Sequence, residues 1–464
     1  MHNKKEENPF YPMMKRISFF RIVIYCALCI MHYAFASCED DDSFSSSSSL
    51  RLTFKADTLQ MDTVFSRAAS STYGFWVYNN NSEGLRLSSV RLAKGNQTGF
   101  RVNVDGSYLD NSNGSQVNNL EIRRKDSILV FVEITPADTH QKEPRIVEDD
   151  LVFTLESGTI QKVNLRAWAW DAERWDNLTL QHDTIITSER PIIVFGRLTI
   201  PQDVTLTLTH TTLFFHDQAG IDVKGTLITD SCLLRGDRLD DMFSYLPYDR
   251  VSGQWSGVHF FETSTRNILT DTEIRNTGDD AILCDSAVFD GDVLRLDMLR
   301  CIVHNGEGAG IACRNANIRL HECQITNMGG DCVAIEGGKA EIHRCTIAQF
   351  YPYDADRGAA LLFTNTLPLQ SLFCDSTIIT GYADDVVMGI QTDTAQVLEY
   401  RFMHTLLRTP KVETADSVRF SNIIWESPKD SIQGTRHFHL IDEENLIYDF
   451  HLDSLSTAQG LGCY

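Results

Sequence analysis

"CIVHNGEGAGIACRNANIRLHECQITNMGGDCVAIEGGKAEIHRCTIAQ", from Cys301 to Gln349, holds one short phrase three times over. "CIVHN" begins at Cys301, "CQITN" at Cys323 and "CTIAQ" at Cys345, each 22 residues after the one before. "TEIRN" from Thr272 and "TIITG" from Thr377 fit the same frame. Short apolar runs between Gly and Asn turns at this period are the coils of a right-handed parallel β-helix. The 29-residue step before Cys301 and the longer one after Cys345 place extra loop in those coils, including "YPYDADRG" at Tyr351 to Gly358.

Coils about 4.8 Å apart stack like residues on like. The spacing therefore predicts an inward ladder of Cys301, Cys323 and Cys345, with Ile274, Val303, Ile325, Ile347 and Ile379 aligned two residues on. It also predicts an Asn ladder of Asn276, Asn305 and Asn327 at a bend, each side chain serving its neighbour's backbone. The cysteines read as core thiols. The alternatives are disulfides, for which same-column stacking gives poor dihedral angles, and zinc, for which no CxxC pair is present.

Repeats begin near residue 190 with "PIIVFGRLTIPQDVTLTLTHTTLFFHDQAGIDVKGTLI". Before them, "YGFWVYNNNSEGLRLSSVRL", "DSILVFVEITP" and "KVNLRAWAW" alternate apolar and polar residues between turns. Several such strands at short spacing predict an immunoglobulin-like β-sandwich. The chain thus reads as all-β: a signal peptide over 1–37, an acidic and Ser-rich tether over 38–49, a sandwich over 50–172 and a β-helix over 173–464.

The signal reading rests on Lys15 and Arg16 before the apolar run "ISFFRIVIYCALCIMHYAFAS", which Arg21 interrupts. "FASC" at Phe35 to Cys38 resembles a bacterial lipobox with Cys38 as the lipidated residue. Glu39 to Asp42 after it resemble the surface-export signal of Bacteroidota lipoproteins, and the run Ser45 to Ser49 cannot bury enough apolar surface to fold. "DTVF" at Asp62, "FRVNVDG", "RAWAWDA", "GQWSGVHF" and "DFHLDSLSTAQGLG", in that order, resemble Bacteroidota surface lipoproteins with a pectin-lyase-like β-helix. The resemblance implies an outer-membrane protein, lipid-anchored and exposed at the cell surface. Asp-Ser/Thr-aliphatic tripeptides at Asp62, Asp126, Asp183, Asp416 and Asp430 resemble the O-glycosylation sequon of the same group.

The formal charge is −22, and cleavage at residue 37 would remove five basic and two acidic side chains, leaving about −25. Nucleic acid and anionic lipid surfaces would repel such a chain, so both are poor partners. Of twelve cysteines none lies between Cys38 and Cys232, and nine follow, an odd number that argues against a simple disulfide framework.

Within the repeats, "GGDCVAIEGG" at Gly329 to Gly338 resembles the Gly-Asp-Asp-Cys-Val-Ala-Ile stretch of polygalacturonase-type hydrolases. That resemblance implies catalytic carboxylates. Aligned on the bend Asn, "NTGDDAI" and "GGDCVAI" place Asp280, Ala309 and Asp331 in one column, with Asp385 joining from "GYADDVV". Asp280 and Asp331 would stand two coils, about 9.6 Å, apart, at the edge of the range for an inverting hydrolase. The family's Gly-His-Gly and Arg-x-Lys clamps are missing, and His304 and His343 do not match its His. For a lyase base, Lys224, Lys339, Lys411 and Lys429 are scattered, and Arg357 beside Asp354 and Asp356 is the best constellation. Candidate catalytic residues are therefore Asp280, Asp331 and Arg357. Asp279, Asp280, Asp384 and Asp385 supply hard oxygens that could take calcium; otherwise they cap their own turns. His437 and His439 in "HFHLIDEE" read as inert surface residues. The favoured function is non-catalytic binding of a glycan or a protein partner along a β-helix face, with a polysaccharide lyase or hydrolase as the alternative.

Overall fold

The computed structural model describes residues 43–464. The lipobox and Cys38 lie outside the described residues.

The amino-terminal part is a sandwich of two five-stranded sheets. One sheet has Tyr73–Tyr78 and Ser127–Ile134 at its centre, and the other has Ile160–Trp170 and Arg145–Leu155. Pairing is antiparallel except between Thr58–Phe65 and Ile160–Trp170. Strict alternation decides what is buried: in Phe100–Val104, Phe100, Val102 and Val104 face inward while Arg101 and Asn103 do not.

The Ser-rich stretch is shorter as a tether than its composition implies. Ser45 N–H donates to the Gly84 carbonyl at 2.9 Å, Gly84 N–H donates to Ser43, and the Arg86 guanidinium lies 4.5 Å from the Phe44 ring centroid. Gly84 permits this, since a Cβ there would meet the Phe44 ring at 2.7 Å. One aromatic residue among the serines is enough to pin residues 43–50 to the sandwich.

The last sandwich strand ends at Trp170 and the first strand of a 24-stranded parallel array begins at Glu173. This array is a right-handed parallel β-helix with three stacked faces. One face stacks Val258–Phe260, Ile282–Cys284, Ile311, Val333, Leu361 and Val387; the second stacks Asn267–Thr270, Leu296–Leu299, Ile318, Ala340 and Leu372. The third carries Glu273–Arg275, Ile302–Gly306, Gln324–Met328, Thr346–Gln349 and Ile378–Gly381. Ile274, Val303, Ile325, Ile347 and Ile379 are in register on this face and fully buried. At about 1.5–3 kcal/mol for each buried aliphatic side chain, such columns are the largest favourable contribution in each coil.

The cysteine ladder is one segment of a longer column. Register carries Thr211, Cys232, Thr272, Cys301, Cys323, Cys345, Thr377 and Thr405 through eight coils. Each donates to the carbonyl two residues before it, at 2.6–2.9 Å for the hydroxyls and 3.3–3.4 Å for the thiols. Each follows a residue of positive φ: His210, Ser231, Asp271, Arg300, Glu322, Arg344, Ser376 and His404. A left-handed backbone costs a non-glycine residue roughly 1–2 kcal/mol, and the Thr or Cys hydrogen bond offsets about 1 kcal/mol of it. The column is thus the corner at which the chain turns onto the third face. All nine cysteines of the helix are free, eight of them buried. The Cys301 thiol is pushed up by its hydrogen bond with Cys323 and by burial, and Cys323 chiefly by burial, so these thiols stay protonated and inert.

The asparagines share a column and a left-handed backbone, with φ of 67°, 59° and 57° at Asn276, Asn305 and Asn327. Their side chains do not serve one another's coils. Asn276 Nδ2 donates to the Asp249 and Val251 carbonyls, and Asn305 Nδ2 donates to Arg250. The insert around residues 248–252 folds back over this bend and takes the Asn276 and Asn305 amides that periodicity assigned to the ladder. Beyond it, the hairpin Phe438–Asp442 and Ile447–Leu452 packs Phe438 and Phe450 on Phe350, Ala348 and Ile378.

Candidate functional site

The carboxylate column forms as the alignment places it. Register puts Asp280, Ala309, Asp331, Ala359 and Asp385 in five successive coils. Asp280 Oδ1 accepts the Ala309 N–H at 2.8 Å, and Asp331 Oδ1 accepts the Ala359 N–H at 2.7 Å. Asp385 Oδ1 accepts the Thr409 hydroxyl at 2.7 Å. Each Asp therefore secures the next coil, and the coil it secures carries Ala or Thr. The neighbouring column runs Asp279, Gly308, Gly330, Gly358, Asp384. Its glycines are required by the close approach of adjacent coils, since a Cβ at Gly308 would stand 2.5 Å from Asp279 backbone and one at Gly358 2.4 Å from the Asp331 nitrogen.

Asp331 is half-buried, and burial, with a smaller contribution from the Asp280 charge, raises its carboxyl above the ordinary range against the pull of the Ala359 N–H. Arg357, next to Gly358 in sequence, turns its guanidinium elsewhere: Nε donates to the Tyr351 carbonyl at 2.7 Å, and the group lies 5.0 Å from the Tyr382 ring centroid. Asp354 accepts the Asp356 N–H at 2.8 Å, closing a turn of the insert. The expected Arg357–Asp354–Asp356 constellation is thus a folded loop.

The four carboxylates considered for calcium do not converge. Asp279 and Asp280 stand four coils from Asp384 and Asp385, about 19 Å by coil spacing. Asp384 pairs with Arg408 at 3.1 Å. Among the described residues no group of three or more His, Cys, Asp or Glu is placed to hold a metal ion.

The histidines also separate. His437 is fully buried, with Nδ1 2.8 Å from Ser456 Oγ and Nε2 3.4 Å from the buried Glu426, while His439 is exposed beside Asp449 at 2.9 Å. His304 is half-buried next to Thr326 Oγ1 at 2.8 Å; desolvation, with the Arg275 charge, pushes it down to about 4, so it is a neutral imidazole. His343 sits at the surface, 3.2 Å from Asp375.

Of these carboxylates, Asp279 and Asp280 line a groove of about 490 Å³ on the first face, and Asp331, Asp384 and Asp385 lie outside its lining. Asp279 and Asp280 form one wall with Glu307, and Arg197, Ser256 and His259 stand on the other side. Asp279 and Glu307 are exposed. His259 Nε2 lies 2.9 Å from Asp285, and Arg197 Nε donates to Asp222 at 3.0 Å, so each cationic group already has a carboxylate. Glu307, His259 and Arg197 were not evident in the sequence, although Glu307 stands two residues before the aligned Ala309. The groove offers a run of acceptors at one edge and oriented donors at the other, an arrangement suited to hydroxyl-rich solutes.

A family model described as a right-handed β-helix region matches residues 203–349. No curated protein matches the chain. Among solved structures, a protein of unknown function from Porphyromonas gingivalis W83 is similar at 12% identity and a TM-score of 0.19, covering 27% of this chain and 47% of that one. The VesB protease of Vibrio cholerae is similar at 12% identity and a TM-score of 0.17, over 25% of this chain and 31% of that one. The catalytic domain of a GH87 α-1,3-glucanase in complex with nigerose is similar at 9% identity and a TM-score of 0.31, over 76% of this chain and 87% of that one. The chain thus spans less than half the length of the first two. At these identities and TM-scores none of them transfers a function to this chain.

Proposed function

We propose that the protein is a lipid-anchored cell-surface protein that binds a glycan along the groove of its β-helix without cleaving it. The observation that carries the non-catalytic reading is the use of Asp280 and Asp331 as acceptors for the Ala309 and Ala359 amides. A carboxylate that holds the next coil in place serves the scaffold in every functional state. The acidic edge of the groove favours neutral or basic chains and disfavours anionic ones. The anchor belongs to the same proposal and rests on Cys38 in "FASC".

One observation favours hydrolysis as a second reading: Asp331 is raised by burial and by Asp280, which is the environment of a general acid beside a second carboxylate. Purified protein incubated with a panel of neutral, basic and acidic polysaccharides separates the two. Retention on a neutral or basic polymer with no new reducing ends, weakened by Glu307→Lys, supports binding. New reducing ends or unsaturated uronates that disappear in Asp331→Asn overturn it. For the anchor, Cys38→Ala should abolish fatty-acid labelling and membrane partition, and persistence of both overturns the assignment.

A further inference from the structure

The sandwich and the first coils line a second cavity, of about 310 Å³, distinct from the groove. Its chemistry is the reverse of the groove's. In a chain of net charge −22, its lining carries four basic groups, Arg67, Arg174, His216 and Arg238, against two carboxylates, Asp237 and Asp240. Arg67, on the sandwich, is paired 3.3 Å away with Asp138, whose side chain is 7% exposed against 62% for Arg67. His216, on the helix, holds Asp237 at 2.7 Å, with side-chain exposures of 51% and 10%. In both pairs the donor is the more exposed partner, and Asp237 lines the cavity beside His216. Arg238 and Asp240 repeat the pattern, with two contacts of 2.7 Å, and Ser71 of the sandwich donates to the same Asp240.

The walls are flat and apolar. The Arg174 guanidinium lies 3.7 Å from the Phe195 ring centroid, and the Phe195 and His216 rings are 4.6 Å apart and tilted by 37°, so a guanidinium and an imidazole both pack on the Phe195 ring. Val64, Phe65 and Leu239 supply a separate apolar part of the lining. Backed cations beside an apolar wall select a solute with one anionic group and a flat or hydrophobic body. The volume lies at the small end of ligand pockets, which suits a single ring.

We propose that this interdomain pocket binds a carboxylate carried on a single ring, the anion meeting Arg67 and His216 and the ring lying against the apolar wall of Val64, Phe65 and Leu239. Carboxylated sugars and aromatic acids share this chemistry. Besides Asp237, the charged groups around the imidazole are Asp217 and Arg174, and Asp237 dominates, keeping His216 protonated to higher pH than a free imidazole.

The test is calorimetric or NMR titration of the full chain with D-glucuronate and with benzoate, alongside D-glucose and inorganic sulfate. At least one carboxylate should bind at least tenfold more tightly than both glucose and sulfate. Arg67→Asn, which removes the cation but tolerates the positive φ, and His216→Gln should each weaken it about tenfold while the thermal melt stays in place. Affinity should also fall as the pH rises through the His216 titration, and this dependence should vanish in His216→Gln. Preference for glucuronate assigns the pocket to an acidic sugar, and preference for benzoate to an aromatic acid. Binding of neither carboxylate, sulfate binding as tight as both, or indifference to both substitutions overturns the proposal. None of these results depends on whether the groove holds a glycan.

Discussion

Two columns of the same solenoid secure its turns with opposite chemistry. In the Thr/Cys column the side chain donates within its own coil, to the carbonyl two residues earlier, and all eight coils from Thr211 to Thr405 repeat it. In the Asp column the side chain accepts from the coil above, and Asp appears only in alternate coils, with Ala309 and Ala359 between. A neutral donor that serves its own coil can recur at every step. A charged acceptor cannot: carboxylates on adjacent coils, about 4.8 Å apart, would repel by about 3 kcal/mol at an effective dielectric of 20, and every second coil halves this. The difference explains why one column looks like a repeat and the other resembles a catalytic pair.

Ala309→Asp breaks the alternation directly and has the largest expected effect. It sets a third carboxylate one coil from both Asp280 and Asp331. Even halved for the partial exposure of the site, the two repulsions sum to about 3 kcal/mol. Urea unfolding at pH 7 should show this loss, with much of it recovered near pH 4 as the cluster takes up protons. A change below about 0.5 kcal/mol at pH 7 would refute charge as the reason for the alternation.

Asp331 comes next. Asp331→Ala leaves the Ala359 N–H without its acceptor and should cost about 1–3 kcal/mol, whereas Asp331→Asn keeps an amide oxygen in place and should cost less. The two also differ in pH dependence. A raised carboxyl in the folded chain binds its proton more tightly than in the unfolded chain, so its contribution to stability is greatest at low pH. That contribution is lost as the pH rises from the ordinary Asp range through the raised folded value. Wild type should therefore lose stability over this window relative to Asp331→Asn, as comparison of their unfolding midpoints from pH 3 to 7 would show. Parallel curves would mean that burial of Asp331 has no energetic consequence.

These columns also mark how far the sequence could be read. The 22-residue step gave the register of Cys301, Cys323 and Cys345, and alignment on Asn276 and Asn327 placed Asp280 and Asp331 together, because coil stacking is a local, periodic property. Cys232 and Thr405 were missed because inserts stretch the steps to them, 40 residues from Cys232 to Thr272 and 28 from Thr377 to Thr405, away from the 22-residue period. The Asn276 and Asn305 side chains were misread for a different reason: their partners, Asp249, Arg250 and Val251, come from an insert that obeys no period. The groove and the interdomain pocket were invisible for the same reason. Their walls join residues such as Arg197 with Glu307, or Arg67 with His216, which only the wound chain brings together.

The smallest effect is expected at Cys323, and it tests whether the Thr/Cys column matters chiefly as chemistry or as shape. The carbonyl that the thiol reaches, at His321, also accepts the Arg300 N–H at 3.0 Å, so deleting the thiol leaves no orphaned acceptor. A thiol is a weak donor, and Cys323→Val, which keeps the volume, should cost less than about 1 kcal/mol. Cys323→Thr should be neutral to within about 0.5 kcal/mol, because Thr272 and Thr377 occupy the same column fully or almost fully buried and donate at 2.8 and 2.9 Å. The ordering Thr, Cys, Val by unfolding midpoint is the expected result. If Val equalled or exceeded Thr, the hydrogen bond would contribute nothing and the column would persist only because a small side chain fits the corner; the left-handed residue before it would then be held by the stacked backbone alone.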